Sequence, residues 1–360
     1  MNNTRRDFLK KSASLAALSA IGGQPVQALS DRPAIIQDPE CEWMKLSFAY
    51  FYGGVRGRPE RVKLAKMMGV LGGVGGGGSD LAETRKSYDD AGLDWTVLEG
   101  VNLTRAQLGV EGRDEDIDRF ISLIKACAEV GQDIICYNWM PAVSWSRTDD
   151  ARPDRGGSLV TAFHMENADP EPTPYGTAFT HDDLWDNFAY FLNAVVPVAE
   201  EYGVKLALHP DDPPVDYLRG IPRIITSVEA LQRVTQLYPS PYNGLTFCQG
   251  SIASQGKDVD IPAAIRWFGE RGLIHFVHFR DVRGTPDNFV ESWHDDGQND
   301  MYEAMKTYYE VGFRGPIRPD HVPTITGYEE NRFPGYNDLG GLFAFGYIKG
   351  LMESVAKQHG

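Results

Sequence analysis

Eight short apolar runs, separated by stretches of helical periodicity, limit what this chain can fold into. The runs fall near residues 44–50, 68–74, 94–99, 133–139, 205–209, 244–248, 274–279 and 315–319. Between them, Ile117, Phe120, Ile121, Ile124 and Cys127 repeat at helical spacing, and Gly131 is placed to stop that helix. Leu184, Phe188, Phe191, Leu192, Val195 and Tyr202 do the same over 181–202, with Thr180 as N-cap and Asp183 three residues later. Eight strands alternating with helices predict an α/β protein, a single-domain (β/α)8 TIM barrel over residues 29–360. Residues 149–180, rich in Pro, Gly and Asp, read as a long loop at the catalytic face.

Four successive runs end in a residue type that binds metals. They are His209 in KLALHPDDPP, Cys248 in GLTFCQGS, His278 in IHFVHFRD and Asp320 in GPIRPDH. Ends of parallel strands converge on one face of a barrel, so the four predict a site for a divalent transition metal. By ligand type alone, a thiolate with two imidazoles suits Zn²⁺. His275, three residues before His278, points to the opposite face of its strand and reads as structural.

A second motif points elsewhere. Gly73-x-Gly75-x-x-Gly78 follows a short run, and Glu99 ends the next one, imitating a dinucleotide fingerprint. The segment is almost all glycine, so it matches any glycine spacing, and a plain turn is the expectation.

The leader is of another kind. Thr4-Arg5-Arg6-Asp7-Phe8-Leu9-Lys10 precedes an apolar stretch and Val26-Gln27-Ala28, the pattern of a twin-arginine export signal cleaved near Ala28. It predicts a periplasmic protein that carries no membrane segment after cleavage. The net charge is −15 although Arg5, Arg6, Lys10 and Lys11 make the leader basic. That acidity disfavours nucleic acid as a partner, and an acidic substrate needs a local cation. The spacing of Cys41, Cys127, Cys136 and Cys248 shows no disulfide framework; Cys127 and Cys136 are expected to be buried.

The strings CYNWMPAVSWSRTD (136–149), LHPDDPP, FCQGS, HFR, RPDH and FPGY occur in this order. At these strings the sequence resembles the mannonate dehydratase family, metal-dependent (β/α)8 enzymes related to the xylose-isomerase-like barrels. The resemblance implies dehydration of a sugar acid, D-mannonate to 2-keto-3-deoxy-D-gluconate and water. It maps the metal ligands onto His209, Cys248, His278 and Asp320, and the acid/base pair onto His321 and Tyr336. It implies Mn²⁺, with Zn²⁺, Fe²⁺ and Co²⁺ as other ions for the same donors, and a homodimer. The chain departs from the family pattern in FAYFYGG at 48–54, in Ser144 before Trp145, and in its export leader.

Arg147, Arg280 and Arg318 are candidates to grip the substrate carboxylate, and each equally suits a structural ion pair. Asn138 and Asp211 are read as hydroxyl or ligand-supporting partners, and His294 in WHDDGQND as a substrate contact. Two alternatives stay open: a metal-dependent sugar isomerase, epimerase or related eliminase on the same barrel, and a periplasmic sugar-binding protein without turnover. A pure binder has no need of the His321 and Tyr336 pair.

Overall fold

The computed structural model describes residues 43–51, 54–76, 80–328 and 333–359. Residues 1–28, read as an export leader, the expected cleavage position and Cys41 lie outside the described residues. Eight parallel strands close into a barrel: β1 (Lys45–Ala49), β2 (Gly72–Gly75), β3 (Asp94–Glu99), β4 (Ile134–Asn138), β7 (Lys205–His209), β10 (Asn243–Cys248), β11 (Ile274–Phe279) and β14 (Pro316–Pro319). Neighbours around the ring run β1-β14-β11-β10-β7-β4-β3-β2. The helices between them are α1 (Pro59–Met67), α2 (Leu81–Asp90), α3 (Thr104–Leu108), α4 (Arg113–Glu129), α5 (His181–Tyr202), α6 (Val228–Leu237), α7 (Gln249–Ala253), α8 (Ile261–Gly269) and α9 (Met301–Glu310), with α10 (Asp338–His359) closing the chain. Among the described residues no helix is long and apolar enough to cross a membrane.

The helix ends follow their local chemistry. Thr180 and Asp183 form a reciprocal capping box at the start of α5. Gly131 adopts φ +70°, the left-handed turn that ends α4. Gly69, at φ +70°, does the same after α1, so the second strand begins only at Gly72 and not near 68.

Strand alternation builds two cores. Val74, Val97, Ile134, Cys136, Ala207 and Phe276 fill the inside of the barrel. The opposite strand faces, with Leu206, Leu208, Phe247 and Phe279 among them, pack in a much larger cluster with helix residues such as Phe188, Phe191 and Ile265.

The segment 149–180 corrects the sequence reading. It is not a plain loop: β5 (Asp149–Pro153) and β6 (Leu159–His164) form a hairpin. That hairpin joins β12 (Val282–Thr285) and β13 (Asn288–Glu291) in a four-stranded antiparallel sheet of order β12-β13-β6-β5. The strand β5 is polar and exposed throughout, so it carries no hydrophobic alternation to read. A small ladder of β8 (Tyr217–Leu218) and β9 (Ile221–Pro222) follows β7.

Two glycines of the glycine-rich run serve packing; its Gly77 and Gly78 lie outside the described residues. A Cβ on Gly72 would lie 2.4 Å from Ser47 Oγ and 2.6 Å from the Leu46 carbonyl, and one on Gly73 would lie 2.4 Å from the Tyr88 ring. These two glycines let β2 approach β1 and α2 closely. Gly72→Ala is therefore expected to lower the unfolding free energy by about 1–3 kcal/mol. A urea titration checks this: the midpoint should fall at unchanged slope, and an unchanged midpoint refutes the close-approach account.

Candidate active site

Barrel register brings the strand ends into one ring. Cys248 is level with His278, and His278 with Arg318. Asn138 is level with His209, and Glu99 with Cys136. Asp320 follows β14 directly. One donor atom from each of His209, Cys248, His278 and Asp320 lies within 4.8 Å of the others. The Cys248 sulfur is 3.6 Å from Asp320 Oδ2, and His278 Nδ1 is 3.7 Å from the same oxygen.

This donor set fits a divalent cation. Both ring nitrogens of His278 are buried without a hydrogen-bond partner, an arrangement that costs free energy unless something polar fills the gap. His209 Nδ1 sits 2.6 Å from the Pro210 carbonyl, so it carries the proton and leaves Nε2 as a lone-pair donor. Two other groups of acids with His or Cys occur nearby, Glu99–Cys136–His278 and Asp212–Glu291–His321. Their carboxylates, like that of Asp320, are paired with arginines.

Those arginines form a buried network. Arg280 donates through Nε to Asp320 Oδ2 at 2.6 Å, through Nη1 to Glu291 Oε2 at 2.9 Å, and through Nη2 to Asp212 Oδ2 at 2.7 Å. Arg147 donates to Asp212 Oδ1 at 2.6 Å and also to Glu291. Arg318 donates to Asp320 Oδ1 at 2.9 Å and to Glu99 Oε1 at 3.1 Å. Burial alone would raise the pKa of Glu99; the Arg318 guanidinium and His278 more than offset it and hold the carboxyl at about 2. The same opposition, with Arg280 first among the cations, leaves Glu291 at about 2. Tyr336 moves the other way: burial, then the Asp320 charge, raises its pKa well above that of a free phenol, so it stays a donor. Its hydroxyl donates to Asp320 Oδ1 at 3.3 Å.

A cavity of about 380 Å³ opens over these groups. Asn138, His209, His278, Arg318, Asp320, His321 and Tyr336 line it, as the sequence reading expects for a site. Four expected substrate contacts are absent from its wall. Arg147 and Arg280 lie behind it, with their guanidinium groups turned onto carboxylates. Asp211 is fully buried, with Oδ2 accepting from the Ile225 amide at 3.0 Å, and burial pushes its pKa up to about 6. His294 is buried beside the Phe279 ring, and burial lowers its pKa to about 4. Sequence reasoning missed Glu99, Trp145 and Asp212, which do line the cavity. Glu99 ends a barrel strand like the four donors, so the same criterion finds it; Glu291, held only through the added sheet, left no signal.

A larger cavity, about 770 Å³, opens at the other end of the barrel between the strand starts. His275 lies there, with Nδ1 3.2 Å from the Leu206 carbonyl and Nε2 3.0 Å from the Pro241 carbonyl. It gathers no comparable set of donors.

The model of the family described as D-mannonate dehydratase (UxuA) matches residues 74–174 and 175–360. A mannonate dehydratase of Thermotoga petrophila is 34% identical over 313 residues, covering 77% of this chain and 86% of that protein. One of Streptococcus uberis is 36% identical over 304 residues, with the same 77% and 86% coverage. The chain belongs to the D-mannonate dehydratase family. Its barrel superposes on the crystal structure of mannonate dehydratase from Streptococcus suis serotype 2 with a TM-score of 0.81 at 33% identity, covering 88% of this chain and 94% of that one. An L-ribulose 3-epimerase, at 12% identity and TM-score 0.58, shares the fold alone. As a family member the chain is a hydro-lyase, and the four-donor cluster stands where a barrel enzyme builds its site.

Cobalt gives a direct readout of the thiolate. Co²⁺ added to metal-free protein is expected to produce a near-ultraviolet sulfur-to-cobalt charge-transfer band, and Cys248→Ser should abolish it while weakening affinity at least tenfold, by roughly the cost of a lost ligand. An unchanged band in the variant removes Cys248 from the ligand set.

Proposed function

We propose that this protein dehydrates D-mannonate to 2-keto-3-deoxy-D-gluconate. The observation that carries the proposal is a pair of proton-transfer groups set against one carboxylate of the donor cluster. Tyr336 Oη lies 3.3 Å from Asp320 Oδ1, and His321 Nε2 lies 3.8 Å from the same oxygen. The two rings meet edge to face with centroids 5.4 Å apart. A sugar-binding protein has no use for such a pair.

His209, Cys248, His278 and Asp320 would hold the divalent ion, which we propose is Mn²⁺. When bound, that ion supplies Lewis acidity to the substrate carboxylate and the neighbouring hydroxyl. The protein groups do the rest. Arg318, which lines the cavity, offers its guanidinium toward the substrate carboxylate. His321 and Tyr336 between them remove the C2 proton and protonate the departing C3 oxygen, which leaves as water. The resulting enol takes up a proton at C3 and becomes the 2-keto acid, so atoms balance.

Tyr336→Phe and His321→Asn are each expected to retain metal and fold yet lose turnover of D-mannonate by roughly a hundredfold or more. By mass spectrometry the wild-type product should weigh one water less than its substrate in H₂O, and in D₂O it should be one mass unit heavier than that, with the deuterium at C3. An isomerised sugar of unchanged mass, with no activity on any hexonate, replaces this reading with the isomerase one.

We also propose export in folded form with cleavage near Ala28, on the strength of the Arg5-Arg6 leader. Replacing both arginines by lysine should leave the protein in the cytoplasm of its host. Mature periplasmic protein from that variant, or an intact N-terminus on cytoplasmic wild type, overturns the export proposal.

A further inference from the structure

We infer that Glu291 is a positioning residue that fixes the ring of His321 with Nε2 toward the substrate. The inference rests on the reading of His321 as a proton-transfer group. His321 follows β14 in the loop beyond the barrel, where strand pairing no longer dictates its ring. Among the described residues, the one hydrogen bond of that ring runs from Nδ1 to Glu291 Oε1 at 3.0 Å. Nε2 is 3.8 Å from Asp320 Oδ1, beyond hydrogen-bond reach, and the ring belongs to the cavity wall. Trp145 and Tyr336 flank the ring with centroids at 5.1 Å and 5.4 Å. They limit its tilt, but neither tells one nitrogen from the other.

A carboxylate on Nδ1 does tell them apart. It accepts only from N–H, so it keeps the proton on Nδ1 and leaves Nε2 to exchange protons with substrate. Glu291 is buried at 3% exposure and absent from the cavity wall, so it acts through His321 and not on the substrate.

Glu291 can hold the ring because it is itself held. Arg280 Nη1 donates to Oε1 at 3.1 Å and to Oε2 at 2.9 Å, and Arg147 donates to Oε1. Its strand β13 pairs with β12 at Val282 and with β6 from Ala162 to His164. Leu159 at the start of β6 bridges to Thr324, and Val322 to Tyr336. The added sheet therefore ties the carboxylate to the segment carrying both proton-transfer groups.

The substitution Glu291→Gln separates the acceptor from the charge. Arg147, Arg280 and His321 all donate toward the Oε1 position, which favours the amide oxygen there, so Gln still accepts from Nδ1. Glu291→Ala leaves no acceptor. Turnover of D-mannonate and bound metal are measured for both, alone and on a His321→Asn background. ¹⁵N-histidine spectra, with His321 assigned by its loss in His321→Asn, report which nitrogen bears a proton. Glu291→Ala should lower kcat by about thirty- to a hundredfold with KM and metal content within about twofold, and Glu291→Gln should recover at least about tenfold of that loss. On the His321→Asn background, Glu291→Ala should cost less than about twofold, because residues acting through one group are not additive. An equal cost on both backgrounds, or Gln as impaired as Ala, overturns the inference in favour of a purely structural carboxylate. If wild-type enzyme fails to turn over mannonate, the dehydratase reading falls, and the spectra decide this one alone. A downfield-shifted proton on His321 Nδ1 in the wild type supports it, and a bare Nδ1 refutes it, even where Glu291→Ala does not fold.

Discussion

One buried guanidinium organises the site. Arg280 bonds Asp212, Glu291 and Asp320, three carboxylates that reach it from the loop after β7, from the added sheet and from the end of β14. Any of these acids buried alone would either protonate or drag water inward. Gathered on Arg280, Arg147 and Arg318, they stay ionised in a dry setting. Arrangements of this kind stabilise little in sum, yet losing one partner costs about 3–5 kcal/mol, since the charges left behind have no answer. Space for the guanidinium comes from the FCQGS string: a Cβ on Gly250 would lie 2.3 Å from Arg280 Nη1. That glycine is needed for side-chain room, at an ordinary backbone conformation.

The strand ends could be read from the sequence because a closed parallel barrel turns chain order into position. His209, Cys248, His278 and Asp320 were separable from the other His, Cys and Asp residues by lying where an apolar run stops. Arginines gave no such handle. Arg147, Arg280 and Arg318 look alike in sequence, and only Arg318 lines the cavity. What distinguishes them is which carboxylates arrive opposite, and those come from as far away as the Arg318–Glu99 pair, 219 residues apart. The hairpin of β5 and β6 was lost for a related reason. Half of it is exposed and polar, and its pairing partner β13 lies more than a hundred residues later. The glycine-rich run imitated a dinucleotide fingerprint only because an almost all-glycine segment matches any glycine spacing; Gly72 and Gly73 answer instead to Ser47, Leu46 and Tyr88.

Two histidines on one strand show that position outweighs residue type. His275 and His278 are both buried in β11. Three residues apart, they face opposite sides of the strand. A backbone carbonyl lies near each nitrogen of His275, and burial lowers its pKa to about 4, so the ring is neutral, donates to one of the two carbonyls and is structural. His278 satisfies neither nitrogen within the protein and points into a ring of acids and a thiol. The barrel has cavities at both ends, and the larger one is not where the chemistry gathers. Side chains at the strand ends converge over the C-terminal mouth, whereas the other mouth is lined by helix-end glycines and strand starts.

The division of labour that results is physical and not only descriptive. Donors for a cation come from the ends of four strands, β7, β10, β11 and β14, whose relative heights are fixed by backbone pairing around the barrel. Proton transfer requires something the strands do not supply, an imidazole with one nitrogen committed and the other open. Here that commitment comes from β13, outside the barrel, and it reaches the donor cluster through Arg280, which touches Glu291 and Asp320 at once. A shift of the added sheet would therefore move the carboxylate behind His321 and a carboxylate of the donor cluster together. The loops that decorate this barrel are coupled to its chemistry by charge, and a change in them reaches both the cation donors and the proton-transfer pair.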